Sequence, residues 1–191
     1  MIGLALALAL LAAPPLTPAT VSADERASLE AGEILVHPHT PADDQGFAVL
    51  AYAVIKAPVE VVWPVVRDCD KYAEFMPRVK KSELREGTVE KGVCFTEIGM
   101  PFPFSNLWAE NNSESVKVPG GGFERHWHLK QGTYLKNQGS WTIYPWADGK
   151  SLAVYALEAA PDTAVPDAII RRAQTSALPG AFEAIRKRVE P

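Results

Sequence analysis

The sequence predicts an α+β domain in which a curved antiparallel sheet wraps around a long C-terminal helix, with two short helices after the first strand. Three observations predict it: alternating apolar and polar residues in the middle of the chain, glycine-containing turns between those stretches, and an apolar stripe of helical spacing at the end. The 191 residues, 47% hydrophobic and 22% charged with a net charge of −4, are typical of one globular domain. These values argue against a disordered chain, a polytopic membrane protein and a basic nucleic-acid binder.

Residues 1–23 are predicted to be a secretory signal peptide. Met1–Leu11 is almost entirely leucine and alanine, and every Asp, Glu, Lys and Arg lies after residue 23. The small residues Val21–Ala23 fit a signal-peptidase site, so we expect cleavage near Ala23 and a periplasmic or extracellular protein. Residues 24–46 form an acidic lead-in segment with one short strand at Ile34–His37, and residues 47–191 form the folded domain.

The first strand of the domain is predicted at Phe47–Lys56, which is rich in Val, Ile, Tyr and Ala. Pro58 then suits the first turn of a helix. The apolar face of this helix repeats at helical spacing through Val59, Val62, Trp63 and Val66. Asp68–Pro77 adds a second short helix or a tight loop.

Six further strands follow, separated by turn residues. They are expected at Val79–Glu86, Val93–Ile98, Phe104–Asn111, Phe123–Lys130, Tyr134–Trp146 and Ser151–Glu158. A terminal helix begins at Pro166–Asp167, and Pro179–Gly180 is expected to kink it. Its stripe of Ile169, Ala173, Ala177, Leu178, Phe182, Ile185 and Val189 must be buried against one face of the sheet. The space between sheet and helix can be either filled or hollow.

Alternation along Phe123–Lys130 places Arg125 and Trp127 on the interior face. Arg125 then either meets a carboxylate or phosphate of a ligand, or pairs with a buried acid such as Glu97 or Glu110. The opposite face carries Glu124, His126 and His128, a pattern that can bind zinc, but a solvated face is the simpler interpretation and no metal site is predicted.

Two other features leave alternatives open. Cys69 and Cys94 either form a disulfide or are separate buried thiols. The loop Met100–Phe104, with two prolines and three large apolar side chains, either covers a cavity mouth or touches a membrane, or packs on the protein body.

The chain resembles the START-like helix-grip superfamily (SRPBCC), in particular its polyketide cyclase and coenzyme-Q-binding START-type branch. The likeness runs from Phe47 to Val189. It rests on the motifs Ala57–Trp63, Asp68–Pro77, Phe123–Trp127, Gly139–Trp141 and Ala177–Gly180. The resemblance implies a deep apolar cavity between the sheet and the last helix. Members bind lipids, sterols, polyketides or quinones there, and a minority catalyse reactions. Pro64 departs from the helix formers usual at that point in the family.

We therefore predict a START-like domain over residues 47–191 for the binding or transport of a lipid, isoprenoid, quinone or similar molecule. The predicted ligand-binding residues are Phe95, Glu97, Met100, Phe102, Trp108, Arg125, Trp127, Trp141, Ile169 and Ala173. The alternative is a cyclase or dehydratase that uses one cavity acid or base, such as Glu97. A third interpretation is an interaction domain with a filled core. We expect a monomer with transient membrane contact and no cofactor, metal or nucleic acid.

Overall fold

The computed structural model describes residues 16–41, 43–163 and 167–190, with the backbone alone for residues 167–176. Eight strands form one antiparallel sheet: β1 (Ile34–His39), β2 (Phe47–Ile55), β3 (Val79–Gly87), β4 (Lys91–Ile98), β5 (Leu107–Val118), β6 (Gly122–Gly132), β7 (Tyr134–Pro145) and β8 (Ser151–Pro161). Their order across the sheet is β1-β2-β8-β7-β6-β5-β4-β3. The predicted fold class is confirmed.

The described residues also form four α-helices: α1 (Ala23–Glu30), α2 (Val59–Arg67), α3 (Tyr72–Phe75) and α4 (Asp167–Val189). One-turn 3-10 helices lie at Cys69–Lys71 and Ala147–Gly149. In the described part of the chain, no helix is both long enough and apolar enough to cross a membrane.

Strand β2, next to the edge strand β1, is buried on both of its faces. One face, which includes Val49 and Ile55, belongs to the main core with α2 and α4. The other face, which includes Tyr52 and Val54, belongs to a second core that α1 covers. A strand buried on both sides reads as a continuous apolar run, as Phe47–Ile55 does.

Helices α2 and α4 pack on the concave face of the sheet. The predicted stripe of α2 is buried, and its Trp63 stacks on Phe123 of β6 with ring centroids 5.3 Å apart. Phe182 and Ile185 of α4 are completely buried. Arg186 fixes the end of α4 by donating to the main-chain carbonyls of Gly32 at 3.0 Å and Val54 at 2.9 Å.

The helix α1 is not among the predicted elements, since residues 24–46 are expected to form an acidic lead-in segment with one short strand. Ser22 and Glu25 form a capping box at its start, a pattern visible in the sequence as Ser-x-x-Glu. Val21, just before this cap, is buried in the second core. A cut after Ala23 would therefore remove both the cap and a buried side chain from the structure described.

Glu25 makes the docking of α1 sensitive to acid. Its carboxylate accepts hydrogen bonds from the hydroxyl and the N–H of Ser22 and from the hydroxyl of Tyr52, which also lies 3.0 Å from His37 Nε2. The Ser22 hydroxyl, then Tyr52, lower the pKa of Glu25 from 4.5 to about 2. Because the pKa of the folded state is the lower one, this stabilisation is present above pH 4.5 and is lost as the pH falls towards 2.

As the pH falls from 4.5 towards 2, we expect the hydrogen exchange of the α1 amides, corrected for the intrinsic effect of pH, to become faster. Glu25→Gln should flatten the dependence, because the amide does not titrate. A residual slope is expected from Glu30, whose pKa is lowered chiefly by its hydrogen bond from Lys150 and then by Trp146. An identical pH profile for Glu25→Gln and the parent protein would contradict the assignment.

Candidate ligand-binding site

A cavity of about 180 Å³ lies between the concave face of the sheet and α4. Its walls come from the segment after α3 and from β4, β8 and α4, and they include Met76, Pro77, Cys94, Thr96, Ile98, Tyr155, Leu157, Ala159, Ala177, Leu178 and Ala181. An engineered apolar cavity of about 150 Å³ holds benzene. The space between sheet and helix is therefore not filled, and it can accept a small apolar group without rearrangement.

Aromatic side chains form one wall of the cavity. Trp141 and Tyr155 lie with ring centroids 4.6 Å apart, and Trp127 lies 5.8 Å from the same tyrosine. The Trp127 indole N–H donates to Asn137 Oδ1 at 3.0 Å. A side chain at Gly139 would come within 2.7 Å of this indole, so the glycine makes room for it. Glycine at this position thus helps to shape the wall.

The cavity lining also contains a buried charged group, the guanidinium of Arg125. This residue is only 4% exposed. One terminal nitrogen, Nη2, donates to Ser113 Oγ at 3.0 Å, whereas its Nε has no partner. Two other buried atoms on β5, Asn111 Oδ1 and Ser115 Oγ, also lack partners. Unsatisfied buried polar atoms are rare in folded proteins, and two of these three belong to residues that line the cavity, Arg125 and Asn111. A bound molecule can therefore supply their missing partners.

Neither acid expected to pair with Arg125 does so. Glu110 accepts from Gln131 at 2.7 Å and forms an ion pair with Arg85. Glu97 accepts from Asn106 at 2.5 Å. Among the described residues, no carboxylate forms an ion pair with Arg125, so the alternative of an internal pair with Glu97 or Glu110 is not realised.

Three buried tyrosines add hydroxyl groups to the lining: Tyr72, Tyr134 and Tyr155. Burial raises the pKa of each, and for Tyr72 the positive charge of Arg125 only partly opposes that effect. The three hydroxyls are therefore neutral near pH 7. The Tyr72 hydroxyl already donates to the main-chain carbonyl of Val66, whereas those of Tyr134 and Tyr155 can donate to a ligand. All three hydroxyls are poor bases.

The predicted ligand-binding residues divide into three groups in the structure. Met100, Arg125, Trp127 and Trp141 line the cavity, whereas Phe95, Glu97, Phe102 and Trp108 do not. Ile169 and Ala173 lie in the part of α4 whose side chains are outside the described residues.

The placement of Phe95, Glu97 and Trp108 corrects the face expected for them. Cys94, Thr96 and Ile98 of β4 line the cavity, so the alternating residues Phe95 and Glu97 point to the convex face. Trp108 lies opposite Glu97 in the register of β5 and stacks with Phe95 at 6.0 Å. The guanidinium of Arg85 covers the Phe95 ring at 4.1 Å, which explains how a large apolar side chain is buried there.

The loop between β4 and β5 has a divided role. Met100 lines the cavity and Phe104 packs against the main core, but Phe102 is 98% exposed. The two ends of the loop therefore pack on the protein body. Phe102 at its tip faces solvent and is not a cavity residue.

Cys69 and Cys94 form a disulfide with an S–S distance of 2.04 Å. The bond joins the turn after α2 to β4, and Cys94 also borders the cavity. Of the two alternatives for these cysteines, the structure has the disulfide. It anchors the short helices over one end of the sheet.

Sequence reasoning missed the polar residues Asn111 and Asn137, which both line the cavity. Asparagine is uncommon in strands, and this was the available signal. On the convex face, His126 Nδ1 lies 3.5 Å from a carboxylate oxygen of Glu124. No group of three metal-binding side chains is present among the described residues.

A curved antiparallel sheet that holds a long C-terminal helix over a cavity defines a START-like helix-grip domain. The family model described as polyketide cyclase / dehydrase and lipid transport matches residues 55–186. The chain belongs to that family. Family and fold together indicate a domain that binds a lipid or another hydrophobic ligand.

Solved structures share the fold at low sequence identity. The STAR-related lipid transfer protein of Xanthomonas axonopodis is similar with a TM-score of 0.73 and 20% identity, over 83% of this chain and 94% of that one. Human StAR-related lipid transfer protein 5 has a TM-score of 0.73 and 12% identity, over 83% and 82%. The Zhui aromatase/cyclase of a Streptomyces species has a TM-score of 0.54 and 15% identity, over 83% and 97%. No curated protein sequence matches this chain.

Proposed function

We propose that this protein binds a single hydrophobic molecule in the cavity beneath α4 and carries it between membranes, acting as a monomer. The observation that supports the proposal most directly is the unfilled cavity of about 180 Å³ with aromatic and aliphatic walls. Burial of apolar surface supplies the driving force, about 0.8 kcal/mol for each methylene. A chain of eight methylenes would contribute about 6 kcal/mol before the cost of ordering the ligand.

Binding is favoured over catalysis by the composition of the cavity. None of its described lining residues is Asp, Glu or His, and Glu97, the expected acid or base, lies on the other face of the sheet. A cyclase or dehydrase would have to use the neutral tyrosines Tyr72, Tyr134 and Tyr155 together with Arg125. These groups can polarise a carbonyl by hydrogen bonding, but they supply no general base at neutral pH.

Native mass spectrometry of the purified protein tests the proposal. We expect a bound species that organic solvent releases and that lipid analysis identifies as a hydrophobic molecule. Protein that carries nothing, and that takes up nothing from vesicles, would overturn the proposal.

Filling the cavity provides a sharper test. Ala181 of α4 lines the cavity, and a larger side chain there should occupy the space of the ligand. We expect Ala181→Phe to weaken uptake of the released lipid at least tenfold while the protein stays folded, since the cavity can accept part of the ring. Ala73→Phe is the matched control, because Ala73 lies at an exposed position on α3. Equal uptake by the two variants would contradict a ligand site beneath α4.

We also propose that the loop around Phe102 touches the membrane during exchange. Phe102 and Leu135 are both exposed large hydrophobic residues. Each lies close in sequence to a residue that lines the cavity, Met100 and Tyr134 respectively. Lys80 packs beside Gly99 at the base of the loop, where a positive charge favours anionic lipid.

The membrane contact predicts a change in rate without a change in affinity. Phe102→Ser should slow transfer of lipid between vesicles severalfold while leaving equilibrium binding unchanged, since Phe102 does not line the cavity. If Lys80 contributes, the rate of lipid transfer should be lower at high salt than at low salt. A Phe102→Ser protein that transfers lipid at the parent rate would exclude this role for the loop.

We propose, finally, that the protein works outside the cytoplasm. The disulfide between Cys69 and Cys94 supports this location, because such bonds persist in oxidising compartments. The apolar leader before Asp24 also supports export. Cell fractionation with intact-mass analysis checks the location and the processing site. Recovery of unprocessed, reduced protein from the cytosol would contradict the proposal.

A further inference from the structure

The buried charge of Arg125 has no acidic partner among the described residues. A guanidinium is always protonated in proteins. Leaving such a charge buried and unpaired costs several kcal/mol. The residue is 4% exposed, and among the described side chains it donates one hydrogen bond, to Ser113. The free Nε and the position of Arg125 in the cavity lining make this group available to a bound molecule.

We propose that the ligand carries one oxyanion group, a carboxylate or a phosphate, that pairs with Arg125 in the cavity. This inference rests on the proposed carrier function and specifies the class of molecule carried. Arginine suits the task because its planar set of N–H donors can bind two oxygens of the same anion.

The neighbouring unsatisfied atoms fit the same group. Ser115 lies opposite Arg125 in the register between β5 and β6, and its Oγ has no partner. Its hydroxyl can donate to an oxyanion. Asn111 lines the cavity, and its Oδ1 is unpartnered. The two ends of an amide exchange by a rotation of 180°, so Asn111 can present either a donor or an acceptor.

The rest of the lining restricts the remainder of the ligand. Trp127, Trp141, Leu157 and Leu178 offer apolar surface, and no second buried cation is present in the described lining, since Arg78 is only partly buried. The molecule that fits is an amphiphile with one acidic head and an apolar tail. The head would pair with Arg125, and the tail would lie along the apolar part of the lining.

Calorimetric titration of delipidated protein with three probes of equal chain length tests this inference. The probes are decanoate, decyl phosphate and uncharged decanol, at a pH of about 8, where the acids are ionised. We expect the parent protein to bind at least one of the two anions about tenfold to a hundredfold more tightly than decanol, the range for a charge-assisted hydrogen-bonded pair. The tighter of the two anions identifies the head group as a carboxylate or a phosphate.

Arg125→Met should remove the preference while leaving decanol affinity within about threefold. The variant should fold with equal or greater stability without ligand, since methionine fills a similar volume without an unpaired charge. Arg125→Lys should retain part of the preference. Arg85→Met is the matched control, because Arg85 lies on the convex face against Phe95 and should not affect selectivity.

Equal affinity of the parent protein for decanol and for both anions would overturn the inference and leave the carrier function standing. A preference that survives in Arg125→Met would overturn it as well. If all three probes fail to bind and the purified protein releases no lipid, the carrier function fails together with the inference. If Arg125→Met does not fold, the affinities of the parent protein and of Arg125→Lys for the anions relative to decanol still test the inference.

Discussion

Replacing Phe182 by alanine is expected to lower the free energy of unfolding by about 3–5 kcal/mol, the usual cost of removing a fully buried phenyl ring. Phe182 is 0% exposed and meets Trp141 edge-on with ring centroids 5.2 Å apart. This contact joins α4 to the sheet beside the cavity. A loss of that size is a large part of the stability of a typical domain. Urea unfolding followed by circular dichroism measures it.

The chain offers a matched control for this measurement. Phe102→Ala makes the same chemical change at a residue that is 98% exposed, so its effect should stay within about 0.5 kcal/mol. The two variants together separate burial from the chemistry of the substitution. Similar losses for both would mean that α4 is not held against the sheet by Phe182.

Reducing the disulfide is expected to cost about 3.5 kcal/mol, from the loss of a constraint that closes a loop of 25 residues. For a chain of this length, that corresponds to a fall in the melting temperature of roughly 7–14 °C. Because Cys94 borders the cavity, lipid uptake should weaken as well. Differential scanning calorimetry with and without reductant measures the change in stability.

A double variant, Cys69→Ala with Cys94→Ala, checks that the bond itself is responsible. It should melt where the reduced parent protein melts, and reductant should not alter it. If reductant leaves the parent protein unchanged while alkylation shows free thiols, the bond does not contribute to stability.

Much of the fold could be predicted from the sequence because its signals are local. Turn residues separated the strands, and the stripes of α2 and α4 have the helical period, so element types and order followed directly. The predicted strand Phe104–Asn111 is displaced, since β5 runs from Leu107 to Val118. The sequence prediction thus ended the strand before Ser113, which accepts a hydrogen bond from the cavity residue Arg125.

The site was harder to predict because it depends on which face each residue points to. In β4 both alternating sets contain apolar residues, and both faces are partly buried, so alternation could not select the cavity face. Phe95 and Glu97 share one face of β4, so the prediction that placed Phe95 in the cavity also placed Glu97 there. Both lie on the other face. The lack of an acidic partner for Arg125 depends on long-range register, which no local pattern reveals.

The two strands at the margins of the sheet, β1 and β3, affect how the molecules behave at high concentration. Lys80, Lys81, Glu83 and Arg85 place charges of both signs along β3, and Pro38 removes a main-chain donor from β1. Such borders resist the addition of a strand from a neighbouring molecule, which is the first step of fibre growth. Copies of the protein therefore have little tendency to join edge to edge through their sheets, even at high concentration.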